Sequence, residues 1–252
     1  MPPPPPDSLR CPCGCGASRR DFLRTLLAGA AGAIALGPRV LAQSDRPRGG
    51  RVGWGRLVTP SRFWNVHQNQ DAVLADFIRG HTTLNIDPTC YPVEPGNLEQ
   101  LGAFPLLFTN NITPVRSETA LANLREYLKR GGFFYIDGCV NNAVTPSFET
   151  FYQRHVDFFA RLIPGAELRM LPENHPIWRA YFPVEEASIR NGGGPRGHWG
   201  AIAEALYGVF DGDRMISLVS LDHLQCGWPN FPDKVPNLMK EIANIYVYAM
   251  TR

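Results

Sequence analysis

Two short apolar segments, residues 104–109 and 133–137, constrain the fold more than any other feature of this chain. Both lack the alternation of a sheet with one face in water, and such runs are typical of strands buried on both faces. Between them, Ser117 is placed to cap a helix with leucines at three- to four-residue spacing, and Gly131-Gly132 is placed to end it. The sequence therefore predicts two parallel strands joined by a helix.

The residues before this unit predict a second unit of the same kind. Residues 51–57 alternate in character and are predicted to form the first strand, and residues 82–86 are predicted to form the next. Asn69 is placed to cap the helix between them. Four apolar side chains are predicted to share one face of that helix, namely Val73, Leu74, Phe77 and Ile78.

The later part of the chain adds two helices and a hairpin. An aromatic-rich helix is predicted to begin at Ser147 and to end at Pro164-Gly165. Residues 206–210 and 215–221 flank Asp211-Gly212, a pair that favours an antiparallel hairpin. A closing helix over 235–250 is predicted to bury Leu238, Ile242, Ile245 and Tyr246.

Alternating strands and helices followed by a hairpin predict an α/β fold. We expect a mainly parallel sheet with helices on both faces and one late antiparallel hairpin. In such sheets, ligands bind beyond the carboxyl ends of the strands, near the point where the strand order reverses. Candidate site residues are therefore sought after strands rather than before them.

The charge of the chain is concentrated at its N-terminus. The whole chain has 25 basic and 23 acidic residues, and residues 1–42 contain five Arg and two Asp. The remainder has 20 basic and 21 acidic residues, so it is nearly neutral. A nearly neutral domain gives no reason to expect a nucleic acid or an anionic lipid surface as a partner.

The N-terminal residues have the features of a twin-arginine export signal. Arg19 and Arg20 precede an apolar stretch, residues 25–36, that is too short to span a bilayer comfortably. Ala42 then supplies a small residue for cleavage. We therefore expect a periplasmic or other extracytoplasmic location and no stable membrane span after cleavage. An uncleaved signal that serves as an anchor is the alternative.

The signal defines the predicted domain organisation. We expect residues 1–42 to be the signal peptide and residues 43–50 to be a linker rich in Gly and Pro. Residues 51–252 are then predicted to form a single α/β domain. Twin-arginine transport moves folded proteins, which permits a bound cofactor without requiring one. We predict no cofactor.

Several motifs in this order resemble the bacterial family called domain of unknown function 4159, over residues 51–250. Its members resemble the class I glutamine amidotransferase-like, or trehalose-utilisation-like, flavodoxin-type fold. The resemblance implies that fold and leaves activity open. This chain has Asn110-Asn111 where a Gly-His-Gly is common in the family. The motifs that carry the resemblance are Arg56-Leu57 with Trp64 downstream, Leu106–Thr109, Tyr127-Leu-x-x-Gly-Gly-Phe-Phe-Tyr-Ile-Asp137, Leu171-Pro-x-x-His175-Pro176-Ile177 and Leu224-Gln-Cys226-Gly227-Trp228.

Four residues are candidates for catalysis. Cys139 follows a buried strand by two residues, where amidotransferases place a nucleophile, and His223 is a candidate proton acceptor. The alternative for Cys139 is a buried structural thiol, or a disulfide with Cys226 if both lie at the same sheet edge.

Asp137 ends the same strand, where a carboxylate either orients a ligand or caps the next loop through local hydrogen bonds. His175 is a further candidate, with capping of a short helix before Pro176 as the alternative.

Five residues are candidates for ligand binding: Arg56, Trp64, His67, Asp222 and Trp228. Trp64 and Trp228 are predicted to form aromatic walls of one cleft. The interpretations of Arg56 are an anion-binding group or a partner of Asp137. Asp222, His223 and Cys226 are too loosely spaced for a metal prediction, so we predict no metal.

No motif of a nucleotide kinase, a classical dehydrogenase or a serine hydrolase is present in the sequence. The first functional hypothesis is an exported ligand-binding or assembly module of the cell envelope, with an unknown small-molecule or envelope partner. The alternative is a hydrolase or amidase that uses Cys139 or Asp137 with a His. A cleft filled by side chains would count against the enzyme.

Overall fold

The structure of the 252-residue chain is a computed structural model. It describes residues 47, 50–61, 64–138, 148–172, 174–184, 206–220 and 235–252. The side chains at 148 and 235–237 are outside this description. All described residues belong to one compact unit, Asp45–Arg252.

In the part of the chain that the structure describes, seven strands form one sheet in the order β2-β1-β3-β4-β7-β6-β5. Five helices and one short 3₁₀ helix, Pro176–Arg179, accompany them in the described ranges. The strands are β1 (Val52–Leu57), β2 (Ile86–Val93), β3 (Leu106–Thr109), β4 (Phe133–Asp137), β5 (Glu167–Met170), β6 (Tyr207–Asp211) and β7 (Arg214–Ser220). The helices are α1 (Asn69–His81), α2 (Leu98–Gly102), α3 (Glu118–Lys129), α4 (Phe148–Leu162) and α5 (Val235–Thr251).

The sheet is mainly parallel, as the sequence predicts. The pairs β1–β2, β1–β3, β3–β4 and β4–β7 are parallel, and β6 runs antiparallel to both β7 and β5. The five neighbouring parallel strands therefore follow the flavodoxin-like order, with β7 in the fifth place. Because β7 is parallel to β4, both end at the same sheet edge, where Asp137 pairs with Ser220.

Helices cover both faces of the sheet. One apolar cluster contains buried residues of α2, α3 and α4, such as Leu101, Leu124 and Phe159. The other contains residues of α1, α5 and the 3₁₀ helix, such as Leu74 and Ile242. The closing helix buries the predicted apolar residues Leu238, Ile242, Ile245 and Tyr246. No helix in the described ranges is long and apolar enough to cross a membrane.

The step from α3 to β4 follows the predicted capping chemistry. The side chain of Ser117 accepts a hydrogen bond from the backbone N–H of Ala120, and Gly131 has φ of 98° after the last turn. The Tyr127 ring lies against Gly132, where an added Cβ would be 2.3 Å from the ring. Its hydroxyl hydrogen-bonds the backbone N–H and C=O of Phe133. The glycine therefore permits the close approach that starts β4.

Three predictions for the first part of the chain are wrong, and they concern β2 and α1. The second strand is Ile86–Val93 and not 82–86, because β2 is an edge strand that tolerates Pro88 and Pro92. The first predicted strand is confirmed as β1, and buried residues lie on both of its faces. Asn69 is the first residue of α1 and not its cap. On α1, Val73 is 55% exposed and therefore lies off the buried face.

Two further elements test the later predictions. The side chain of His175 accepts a hydrogen bond from the backbone N–H of Ile177, so the capping interpretation is confirmed. The hairpin at Asp211-Gly212 is also confirmed. β5 was not predicted, because Glu167–Met170 is a short, mostly exposed edge strand without an apolar run. Ser147 lies outside the described residues.

Candidate functional site

The strand order reverses between β1 and β3. The chain passes from β1 to β2 on one side and then to β3 on the other, so the loops after β1 and β3 diverge at this point. Ligand sites of open α/β sheets occur in the crevice that such divergence creates. The residues after β1 and β3 are therefore the first candidates for a binding site.

The guanidinium of Arg56 lies at this point and is completely buried. Its Nε and Nη2 donate to the two carboxylate oxygens of Asp71 over 2.8 Å and 2.9 Å. Nη1 donates to the carbonyl oxygens of Trp64 and Val66 over 2.8 Å and 3.0 Å. The guanidinium carbon also lies 4.7 Å from the centroid of the Phe108 ring. The two-point pairing of Arg56 with Asp71 is the geometry in which Arg binds carboxylate most strongly.

Asn110 connects this network to β4. Its Oδ1 accepts a hydrogen bond from Nη1 of Arg56 over 3.2 Å, and its Nδ2 donates to the backbone carbonyl of Asp137 over 3.0 Å. On the other side, the Cys90 thiol donates to Asp71 over 3.1 Å. A line of buried and partly buried polar groups therefore crosses four strands, from β2 to β4.

Burial, followed by the neighbouring Asp71 carboxylate, raises the pKa of the Cys90 thiol well above its ordinary value. A thiol with a raised pKa remains protonated at neutral pH, and only the thiolate is a good nucleophile. Cys90 therefore acts as a hydrogen-bond donor in this network and is unsuited to nucleophilic chemistry.

The loop between β1 and α1 carries two predicted ligand-binding residues, Trp64 and His67. Both are partly buried. Among the described residues other than glycine, His67 alone has a positive φ, 56°. Its Nδ1 lies 3.4 Å from the Nε2 of Gln70 in the first turn of α1. L-residues occupy this left-handed region at an energetic cost, and such conformations cluster at functional sites.

The structure corrects one of the two interpretations of Arg56, its pairing with Asp137. The group does not pair with the Asp137 carboxylate, and its donors are taken by Asp71, by two loop carbonyls and by Asn110. Asp137 is only 1% exposed at the end of β4. Arg56 and Asp137 are brought to the same sheet edge, with Asn110 between them. The predicted residues Cys139, Asp222, His223, Cys226 and Trp228 lie outside the described residues.

Sequence reasoning missed Asp71, Asn110 and Cys90 as members of the site. A signal for Asp71 was present, because it lies at the helical spacing of Leu74, Ala75 and Ile78 on the buried face of α1. A carboxylate on an apolar helix face indicates a buried cationic partner. In the described ranges, no group of three or more His, Cys, Asp or Glu residues is placed to hold a metal ion.

The family model described as Domain of unknown function (DUF4159) matches residues 54–249, from within β1 to near the end of α5. The chain belongs to this family. The matched range of the DUF4159 domain contains Arg56, Asp71, Cys90, Asn110 and Asp137. No curated protein matches the chain.

Proposed function

We propose that this DUF4159 domain is an exported ligand-binding or assembly module of the cell envelope, without turnover of its own, on an amidotransferase-like fold. The observation that carries the proposal is the Arg56 network at the strand-order reversal. Enzymes of open α/β sheets bring reactive groups into this crevice. Here the cationic group at that position is engaged by internal acceptors.

The chemistry of the described neighbours supports binding rather than turnover. Arg56 has no exposed surface, so it is unavailable to an incoming anion. Cys90, the described cysteine of the network, has a raised pKa because of burial and the Asp71 carboxylate. A stable, internally satisfied polar layer suits a scaffold that holds loops in place.

The loop from Trp64 to Gln68 offers the surface for a ligand. Trp64 supplies a large ring with a polar N–H group, and such side chains provide contact area at low cost in conformational entropy. His67 lies on the same loop in a left-handed conformation. We propose that both side chains contact a small molecule or an envelope partner.

A hydrolase or amidase that uses Cys139 or Asp137 with a His is the second candidate. One observation favours it: β4 and β7 are parallel and end side by side, with Asp137 paired to Ser220. The chain therefore leaves the two strands that precede Cys139 and His223 at the same edge of the sheet.

The test separates binding from turnover. The exported domain is dialysed against an envelope extract of small molecules, and mass spectrometry measures both the molecules retained by the protein and the molecules consumed. We expect retention without consumption. Trp64→Ala and His67→Ala should each reduce retention, and Val73→Ala, an exposed change on α1, is the matched control.

A compound consumed by the wild-type domain but not by Cys139→Ala or Asp137→Asn would replace the first proposal with the hydrolase. Retention that is the same in wild type, Trp64→Ala and His67→Ala would show that the loop is not the ligand surface.

The export proposal rests on Arg19 and Arg20 ahead of a short apolar stretch. Its test is the double change Arg19→Lys and Arg20→Lys, followed by cell fractionation. We expect the double variant to accumulate in the cytoplasm. Delivery beyond the inner membrane at the wild-type level would contradict the twin-arginine route.

A further inference from the structure

We infer that Arg56 and Asp71 together form an internal latch that sets the conformation of the Trp64–Gln68 loop and so positions Trp64 and His67. The sequence indicated Arg56 as a group that contacts a ligand. The geometry assigns it a different task, as a positioning residue for the loop that carries the ligand contacts. The inference rests on the proposed function for its purpose, but the latch itself is a property of the protein alone.

The contacts of Nη1 of Arg56 hold the backbone of the loop in place. This nitrogen donates to the carbonyl oxygens of Trp64 and Val66, two residues apart on the loop. Both carbonyls therefore point inward to one buried donor group, which fixes the path of the backbone on either side of Asn65. His67 follows at once, with φ of 56°. A strained residue persists only where its surroundings determine the backbone, and the guanidinium supplies that constraint.

Asp71 fixes the orientation of the Arg56 guanidinium. It lies in the first turn of α1, directly after the loop, and binds Nε and Nη2 through its two carboxylate oxygens. A planar guanidinium held at two points has a fixed orientation, so the remaining nitrogen must face the loop carbonyls. The loop is thus tied at both ends, to β1 through Arg56 and to α1 through Asp71.

Asn110 links the Arg56 guanidinium to the end of β4. Its amide accepts from Nη1 and donates to the backbone of Asp137, so the same guanidinium is linked to the end of β4. The positions of the β1–α1 loop and of the end of β4 are therefore coupled through two side chains, those of Arg56 and Asn110. A ligand that contacts both would meet a preorganised surface.

Hydrogen exchange of the loop amides tests the latch. The backbone N–H groups of Trp64, Gln68 and Gln70 are hydrogen-bonded within the loop and its junction with α1, so their exchange rates report its conformation. The variant to compare is Arg56→Met with Asp71→Leu, which removes both charges and leaves no unpaired buried ion. We expect these three amides to exchange at least about tenfold faster than in wild type, with amides of β3 and β4 changed less than about twofold.

Arg56→Lys is the conservative variant. Lysine retains the charge beside Asp71 but lacks the planar fork, so it should fail to restore slow exchange in the loop. The latch is overturned if the double variant keeps wild-type exchange at all three amides. It is also overturned if exchange rises equally in β3 and β4, or if Arg56→Lys exchanges like wild type.

The exchange experiment contains only the protein, so its failure would leave the proposed function to its own test. Retention of envelope compounds by the Arg56→Met/Asp71→Leu variant completes the design. We expect retention to fall at least about threefold when the loop is released. Full retention by the double variant despite a released loop would overturn the positioning role. If Trp64→Ala still lost retention in that case, the proposal that Trp64 contacts the ligand would stand.

Discussion

The carboxylate of Asp71 receives two parallel hydrogen bonds from the guanidinium of Arg56, and neither side chain has any exposed surface. A buried charge without a partner is costly because it has lost its hydration. We therefore expect that removing one partner of the pair destabilises the folded protein.

Asp71→Asn should lower the free energy of unfolding by about 3–5 kcal/mol, because it leaves the guanidinium buried without a counter-ion. Urea denaturation measures the change. The matched control is Asp76→Asn on the same helix, which breaks an exposed pair with Arg79 and should cost less than about 1 kcal/mol. Equal costs for the two variants would contradict the burial argument.

Asn244 holds the segment after the 3₁₀ helix against α5. Its Oδ1 accepts hydrogen bonds from the backbone N–H groups of Tyr181 and Phe182, and its Nδ2 donates to the carbonyls of Trp178 and Phe182. Asn244→Ala should cost about 2–4 kcal/mol in thermal or urea unfolding, because it leaves several backbone groups without partners. Asn123→Ala, which removes one partly buried hydrogen bond to Pro95, is the control and should cost about 1 kcal/mol or less.

The buried ring of His155 should make the free energy of unfolding depend on pH. Its ring is completely buried, its Nδ1 donates to the carbonyl of Phe151, and its Nε2 has no hydrogen-bond partner within the described structure. Burial, with a smaller contribution from the Arg154 charge, lowers the pKa of His155 to about 4. The unfolded chain therefore takes up a proton below about pH 6.5 that the folded protein resists.

Stability should accordingly fall as the pH drops from about 6.5 towards 4, by up to about 3 kcal/mol from this group. His155→Gln cannot take up the proton, so the difference in unfolding free energy between pH 7 and pH 4 should be smaller by that amount. Wild type and His155→Gln with identical pH profiles would disprove the prediction.

Cys90 makes a prediction about reactivity. Because burial and the Asp71 carboxylate raise the pKa of its thiol, the reactive thiolate is scarce at pH 8. Alkylation of Cys90 by iodoacetamide, followed by peptide mass spectrometry, should be at least about tenfold slower in the folded protein than in urea. Similar rates in both conditions would show that the thiol is not held by the network.

Much of the fold was predictable from local sequence features. The Ser117 cap, the glycines after α3 and the two apolar runs specify the β3–α3–β4 unit through local hydrogen bonding and burial. The edge strands were harder, because β2 contains Pro88 and Pro92 and β5 has no apolar run. An edge position relaxes the demands on a strand, and edge position is a property of the whole sheet.

The candidate site was likewise predictable only in part from local sequence features. Arg56 and Asp137 could be assigned to strand ends from the sequence, and the direction of the late hairpin needed the pairing of β7 with β4. The sequence left an anionic ligand and Asp137 as the two candidate partners of Arg56 and did not indicate Asp71, because side-chain pairing depends on which helix covers which strand.

The sequence by itself determined the family, the alternation of strands and helices, and the sheet edge where polar residues gather. Only the tertiary structure decided that Arg56 faces inward to Asp71, the loop carbonyls and Asn110. The reason is physical: periodicity and capping act within a few residues, whereas Arg56 meets partners 15 and 54 positions away. Those contacts form because α1 brings Asp71 to the end of β1, where the buried guanidinium must be satisfied.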